Sequence, residues 1–379
     1  MLQLPPLSLY VHIPWCIRKC PYCDFNSHEG GDNIPEQAYV DALLKDLQND
    51  LSRVQHRKLH SIFFGGGTPS LFSAKSIERI IKQAQTHIGF EESIEITLEA
   101  NPGTAEQKKF ADFKSAGVNR LSLGIQSFNH DHLNTLGRIH DGNHGRQAID
   151  MAQKAGFDRL NVDLMHGLPN QTRTQAIADL ETAINTGVTH LSWYQLTIEP
   201  NTAFYSKPPI LPVEDQLADI QDLGQQALID AGFAQYEISA FARNGENCRH
   251  NINYWQFGDY LGVGAGAHGK ITLPDQGQII RTAKTRQPNH FISHPETALA
   301  TEKPIATDQL VLEFMMNGLR LTSGVSEDLL VSRTGLQADH IQHRIEQLQQ
   351  QGLIKDQPSH YCATDLGIRF LDTILQGFS

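Results

Sequence analysis

Apolar and polar positions in the first half of the chain alternate in blocks of two kinds. Short apolar runs with β character stand at Leu7–Ile13, Ser61–Phe64, Ile94–Leu98, Leu121–Ile125, Leu160–Leu164 and Leu191–Gln195. Between them lie segments with helical spacing: Glu36–Val54, Ala74–Ala84, Ala105–Ala116, His144–Ala155 and Gln175–Asn185. In the first of these Ala38, Leu43, Leu44, Leu47 and Leu51 share one side. Gly117, Gly156 and Gly187 follow three of the helices, where a left-handed residue ends a helix best. Strict strand–helix alternation predicts parallel strands joined by helical crossovers, hence a sheet or incomplete barrel of six units. Binding sites of such folds lie at the C-terminal ends of the strands.

The rhythm changes after Pro200. Prolines 208, 209 and 212 mark a connection. A helix is predicted over Asp215–Ala231 and a short strand over Tyr236–Ala240, followed by a glycine-rich stretch from Gly258 to Gly269. His294–Pro304 reads as a polar linker. From Asp308 three helices precede two short strands, Leu353-Ile354 and His360–Ala363, in the order of a winged helix. The expected division is residues 1–200 for the β/α units, 201–293 for an extension and 294–379 for the winged tail. From Asp308 on, that tail carries five Lys/Arg (Arg320, Arg333, Arg344, Lys355, Arg369) against nine Asp/Glu, a poor match to phosphates.

Charge and cysteine usage narrow the function. Over 379 residues, 31 Lys/Arg against 42 Asp/Glu gives −11, so a broad nucleic-acid surface is not expected. Met1–Leu9 lacks a basic n-region, and no apolar run approaches the ~20 residues of a membrane span. A cytoplasmic location is expected. Three of the five cysteines fall within eight positions, which in a reducing compartment reads as metal or redox chemistry.

The sequence His12-Ile-Pro-Trp-Cys16-Ile-Arg-Lys-Cys20-Pro-Tyr-Cys23-Asp-Phe25 carries the strongest signal. Cys16, Cys20 and Cys23 on one loop supply three thiolates for a 4Fe–4S cubane. Three ligands leave one iron open to chelate the amino and carboxylate groups of S-adenosylmethionine. A structural zinc site would need a fourth ligand, and no second Cys pair follows nearby. The pair Cys20-Pro-Tyr-Cys23 also fits a CxxC redox module, which would need neither Cys16 nor six β/α repeats.

Polar groups recur at the predicted strand ends. Gly65-Gly66-Gly67-Thr68-Pro69 follows the second strand, where glycines let a ligand approach the backbone. Glu99, Gln126 and Asp163 end the next three strands, and Arg138 lies in the segment after the fourth. Together they read as the rim of a binding site. Gly264-Ala-Gly-Ala-His-Gly269 matches GxGxxG by letter but lacks a βαβ setting and reads as a close-packing turn. His250-Asn-Ile-Asn-Tyr-Trp255 offers a nitrogen and aromatic faces suited to a haem, or forms a partly buried aromatic turn.

These motifs, with Glu99-Ala-Asn-Pro102, Gly124-Ile-Gln-Ser-Phe128 and Asp163-Leu-Met-His-Gly-Leu-Pro169, resemble the radical S-adenosylmethionine proteins related to oxygen-independent coproporphyrinogen III oxidase. The likeness spans nearly the whole chain. It implies an α/β fold: a partial, six-unit β/α barrel of radical SAM type with a C-terminal winged-helix-like α+β domain. It implies cluster ligation by Cys16, Cys20 and Cys23. It also implies S-adenosylmethionine contacts at Tyr10, Tyr22, Gly66, Gly67, Thr68, Glu99, Gln126, Arg138 and Asp163. The motif His250-Asn-x-x-Tyr-Trp255 is similar to the signature of the haem chaperone branch. That branch implies haem as a further cofactor, with His250 as a candidate ligand. Its implied partners are haem-acceptor proteins, membrane respiratory ones among them, and an electron donor. The decarboxylating enzymes carry a further cysteine where this chain has Phe25, and they begin with a longer N-terminal extension. The expected function is therefore haem trafficking, with radical decarboxylation of coproporphyrinogen as the alternative.

Overall fold

The computed structural model describes every residue except Asp32, Thr104, Ala105 and Ser379. Six parallel strands form the centre: β1 (Leu7–Ile13), β2 (Leu59–Gly66), β3 (Phe90–Ala100), β4 (Arg120–Gln126), β5 (Leu160–His166) and β6 (His190–Gln195), side by side in chain order. Each crossover carries a helix: α1 (Glu36–Asn49), α2 (Ala74–His87), α3 (Glu106–Ser115), α4 (Gly142–Lys154) and α5 (Arg173–Asn185). Reciprocal caps start α4 (Asp141 with His144) and α5 (Thr172 with Gln175), fixing where the chain turns from strand to helix.

The sheet runs on at both flanks. After helix α6 (Glu214–Asp230), β7 (Ala234–Glu237) and β8 (Ala240–Ala242) add antiparallel beside β6. After helix α7 (Arg249–Trp255), β9 (Asp259–Val263) pairs parallel with β1. Beyond it lie β10 (His268–Leu273), β11 (Gln278–Lys284) and β12 (Leu299–Pro304) in antiparallel succession. The twelve strands stand in the order β12-β11-β10-β9-β1-β2-β3-β4-β5-β6-β8-β7. Buried ion pairs tie this flank down. Lys284 reaches Asp46 and Asp50 of the α1 region at 2.5 and 2.7 Å, and Asp259 holds Lys270 and Arg57, each at 2.8 Å. Severing such a buried pair leaves an uncompensated charge, so these strands are fixed to the barrel.

The six central strands and five helices follow the predicted pattern, with longer strands and shifted ends. Three differences have physical causes. The helix expected over Glu36–Val54 stops at Asn49, and a 3₁₀ turn, Leu51–Val54, is closed by left-handed Gln55. The strand expected over Tyr236–Ala240 is two strands, broken where Ser239 donates its backbone N–H to Glu237. The expected linker His294–Pro304 ends in strand β12, every residue of which is exposed. As an edge strand it pairs on one side only, and Glu302, Lys303 and Pro304 are the residues that blunt such edges. Its polarity on both faces hid it from a search for apolar runs. Ala105, the expected first residue of α3, lies outside the described residues.

The tail packs helices α8 (Thr307–Gly318), α9 (Glu327–Thr334) and α10 (Gln342–Gln350) with a small antiparallel pair, Val325–Ser326 against His360–Tyr361. Of the strand expected at Leu353-Ile354, a single bridge from Ile354 to Ala363 forms. The tail has its own apolar core around Phe314, Leu330, Leu348 and Ile374, which also takes in Phe257 and Ile279. Among the described residues no helix is long and apolar enough to cross a membrane.

The central strands have two unlike faces. β1 reads Leu-Ser-Leu-Tyr-Val-His-Ile, and alternate residues of a strand face opposite sides. Leu7, Leu9, Val11 and Ile13 join the large core beneath the helices. On the other face Ser8 meets Ser61 of β2 at 2.8 Å, and Ser122 of β4 meets Asp163 of β5 at 2.9 Å. The helix-facing side is apolar and the barrel interior is polar.

A candidate cofactor site at the mouth of the barrel

The cysteine loop is anchored before it reaches the thiols. Trp15 is buried edge-on to Tyr39 at 4.7 Å and stacked on Phe72 at 5.9 Å. Trp15-Cys16 pairs with His28-Glu29, and Thr68 donates its backbone N–H to Trp15 O at 2.7 Å. Asn26 bonds the carbonyls of Ala265 and Arg286, so the Gly264–Gly269 turn packs against this loop, as close-packing glycines should. Cys16, Cys20 and Cys23 are free thiols, each partly exposed. Burial raises the Cys16 thiol, opposed by a hydrogen bond with Thr68.

The glycines after β2 have a geometric cause. Gly66 sits at φ +115°, and a Cβ there would lie 2.5 Å from the His12 ring. A Cβ on Gly67 would lie 2.5 Å from Trp15 O. Only glycine lets this strand end pass under the cysteine loop.

A chain of hydrogen bonds then links the thiols to the strand ends. Arg138 approaches Cys20 Sγ at 3.6 Å and donates to Asn101 Oδ1 at 2.6 Å and Gly124 O at 2.5 Å. Asn101 in turn donates to Thr68 Oγ1 at 2.9 Å. Tyr22, on the loop itself, has its ring 6.4 Å from Phe204, and burial raises its phenol. Cys20, Arg138, Asn101, Thr68 and Cys16 thus form one connected edge.

Below that edge lie two carboxylates. Glu99 near the end of β3 and Asp163 in the middle of β5 are partly exposed between buried neighbours. Burial, then the neighbouring charge of Asp163, pushes Glu99 up to about 8, against a hydrogen bond from the Gly66 backbone. Burial also raises Asp163, although Ser122 and Asn161 donate to it at 2.9 and 2.7 Å. A value of about 8 leaves Glu99 largely protonated at neutral pH. Tyr10 bonds His12 at 3.0 Å and stacks on Phe63. Gln126 accepts from Tyr194 at 2.7 Å and sits at φ +69°, a strained conformation for a non-glycine residue.

The structure therefore brings Tyr10, Tyr22, Gly66, Gly67, Thr68, Glu99, Gln126, Arg138 and Asp163 together with the cysteines at one end of the barrel. It does not bring His250 there. That ring is 1% exposed in α7, at the N-terminal end of the strands. Its Nδ1 bonds Ser61 at 2.8 Å and its Nε2 bonds Tyr254 at 2.9 Å. Burial lowers it to about 3, so it is a neutral, doubly engaged core histidine. Two residues of the site were not singled out from sequence. Asn101 lay inside the quoted Glu99–Pro102 motif, and Tyr194 is the inward residue of β6, visible as the alternation in His-Leu-Ser-Trp-Tyr-Gln.

Residues 10–183 match the Radical SAM superfamily and residues 305–370 match the HemN C-terminal domain. Coproporphyrinogen III oxidase (HemN) from Escherichia coli, a radical SAM enzyme, has a similar fold. Its TM-score is 0.81 at 23% identity, over 99% of this chain and 90% of that one. Fold and matches define a radical SAM protein with a HemN-type C-terminal domain. Two full-length relatives, each described as heme chaperone HemW, are more similar in sequence. The Haemophilus influenzae protein is 50% identical, and the Escherichia coli protein 46% identical, each over 100% of this chain and 99% of its own length. The chain belongs to the HemW family.

Proposed function

We propose that this protein is a haem chaperone that carries a 4Fe–4S cluster on Cys16, Cys20 and Cys23 and binds S-adenosylmethionine and haem. In this reading it works in the cytoplasm, takes electrons from a donor protein and passes haem to acceptor proteins. The observation that carries the reading is the single edge joining two of the three free thiols, Cys16 and Cys20, to Arg138, Asn101 and Thr68 above a polar barrel interior. The donor set suits a cluster with one open iron. When bound, that cluster supplies one-electron chemistry at the sulfonium of S-adenosylmethionine.

The chain's own residues do the positioning. Arg138 pairs with the carboxylate of the amino-acid end, a charge-assisted contact that Asn101 orients. Glu99, once ionised, takes the ammonium group or a ribose hydroxyl. Asp163 and Gln126 sit where ribose and base atoms need acceptors. Tyr10 and Tyr22 flank this space and exclude water. The chaperone role is supported by the HemW relatives and by Phe25, 63% exposed where the decarboxylases have a further cysteine. For His250 a ligand role requires opening the base of the barrel, because both ring nitrogens are engaged.

The test is anaerobic reconstitution, followed by haem titration and by incubation with coproporphyrinogen III under reducing conditions. Saturable haem binding without vinyl formation is the expected result. Robust decarboxylation would restore the oxidase reading.

A further inference from the structure

Beside the cysteine loop lies a cavity of about 500 Å3, within the roughly 300–1,000 Å3 typical of small-molecule sites. It shares Cys20, Thr68, Asn101 and Arg138 with the edge described above and runs outward from it toward α3. Ile17 and Ile139, 62% and 59% exposed, line it. Leu71 and Phe110 also line it. Two large apolar side chains this exposed beside one cavity mark a surface that a partner or ligand can cover. In a chain of net charge −11, the same cavity is bordered, among the described residues, by Arg18, Lys108, Lys109 and Arg138 against one acid, Asp112. An apolar slot with a basic rim fits a flat apolar body bearing carboxylates.

His140 completes the lining. Its Nε2 lies 3.1 Å from the carbonyl oxygen of Ile125. A carbonyl only accepts, so Nε2 carries the proton and Nδ1 keeps the lone pair. Metal-binding histidines are held in this way, with one ring N–H donated to a backbone carbonyl and the other nitrogen left for the metal. Burial, then the neighbouring charge of Arg138, lowers the ring to about 4, so the imidazole is neutral at physiological pH.

We infer that haem docks in this cleft beside the cluster loop, its faces against Ile17 and Ile139, its propionates toward Arg18 and Lys108, and its iron on His140 Nδ1. The inference rests on the haem-binding reading above and moves the ligand from His250 to the mouth of the barrel. There, haem and the cluster loop share a wall at Cys20. His250 has no comparable position, since hydroxyl groups engage both of its nitrogens in a closed core.

The test titrates haemin into full-length, cluster-reconstituted protein, comparing wild type with His140→Ala, Ile139→Glu and Lys108→Glu. Wild type should bind saturably with a nitrogen-ligated Soret band. His140→Ala should bind about tenfold more weakly, equivalent to about 1.4 kcal/mol, with a displaced Soret band that added imidazole restores. Iron and sulfide content should not change. Ile139→Glu and Lys108→Glu, both at exposed positions, should weaken binding with the Soret position kept. If His140→Ala fails to fold, these two variants decide the matter. Wild-type affinity and spectrum in His140→Ala, or wild-type affinity in both surface variants, would overturn the assignment. No saturable binding by wild type would overturn the haem reading itself, and this site with it.

Discussion

The two ends of the barrel use the same kinds of residue and treat them in opposite ways. At the base, Glu95 is fully buried, with Arg159 at 2.8 Å and Arg120 at 4.0 Å. It also accepts from the His250 backbone at 3.1 Å. His190 bonds Asn161 and Tyr236, and Asn253 bonds Ser8. Each of these groups has a hydrogen-bond or opposite-charge partner, although one Arg120 nitrogen is left without a hydrogen bond, so the base is framework. At the mouth, the charge of Asp163 raises Glu99, neither carboxylate has an ion-pair partner among the described residues, and Arg138 is met by neutral oxygens and a thiol rather than a carboxylate. Burial without a charge partner is costly, and a fold keeps such groups where a ligand is to complete them. Polarity inside a barrel is thus not itself a mark of function; what marks it is charge left unpaired.

The contrast can be broken in order of effect. Replacing Cys16, Cys20 or Cys23 by Ala should abolish the cluster while leaving the fold, with iron and sulfide falling from about four each per chain toward zero. Stoichiometric zinc in wild type would refute the assignment. At the base, Glu95→Gln should cost about 3–5 kcal/mol in chemical denaturation, because it strands buried Arg120. His250→Ala should cost about 2–4 kcal/mol through two lost hydrogen bonds and a cavity. Neither should alter S-adenosylmethionine affinity if the variant is kept folded. At the mouth the pattern reverses. Arg138→Ala, Glu99→Ala and Asp163→Ala should each weaken S-adenosylmethionine binding by about 1.5–3 kcal/mol by calorimetry, with little loss of stability. Unchanged affinity in all three would show that the mouth does not hold this ligand.

The smallest effect is also the most diagnostic. Glu99 keeps its proton in the folded state between the ordinary value of 4.5 and about 8, whereas the unfolded chain releases it. Its contribution to stability therefore falls as pH rises through that window. Glu95 is the reverse. Burial would raise it, but Arg120 and Arg159 outweigh burial and hold it below 4.5, so its contribution is present above that value and lost on acidification. Glu99→Gln should flatten the decline between about pH 4.5 and 8, and Glu95→Gln should flatten the acid limb. Identical pH profiles for wild type and Glu99→Gln would contradict the raised carboxylate. Because a cation needs Glu99 ionised, S-adenosylmethionine binding should release a proton near neutral pH.

Much of this was legible in the sequence, for local reasons. The six strands and five helices announce themselves through apolar periodicity, and three thiols within eight residues need no long-range knowledge. Glu99, Gln126 and Asp163 stood out because each ends an apolar run. Less legible was the polar barrel interior. Read as apolar runs, the strands concealed a strict alternation, Leu-Ser-Leu-Tyr-Val-His-Ile being the clearest case. Tyr10 and Tyr22 were reached through family resemblance alone, since nothing local sets them apart from core aromatics. Asn101 matters because Arg138 and Thr68 meet it, a fact of packing across 37 and 33 residues. Strand β12 hid because an edge strand has no apolar face to display. The saturation of His250 was invisible, because Ser61, one of its two partners, lies 189 residues away.

The account stands or falls on whether the thiols and the polar mouth form one cofactor site. Electron paramagnetic resonance of the anaerobically reconstituted, reduced protein, recorded before and after S-adenosylmethionine, tests this most directly. The account predicts a reduced 4Fe–4S signal that shifts on addition of S-adenosylmethionine in wild type and does not shift in Arg138→Ala at the same concentration. A cluster signal indifferent to S-adenosylmethionine in wild type, or no cluster signal at all, would contradict it.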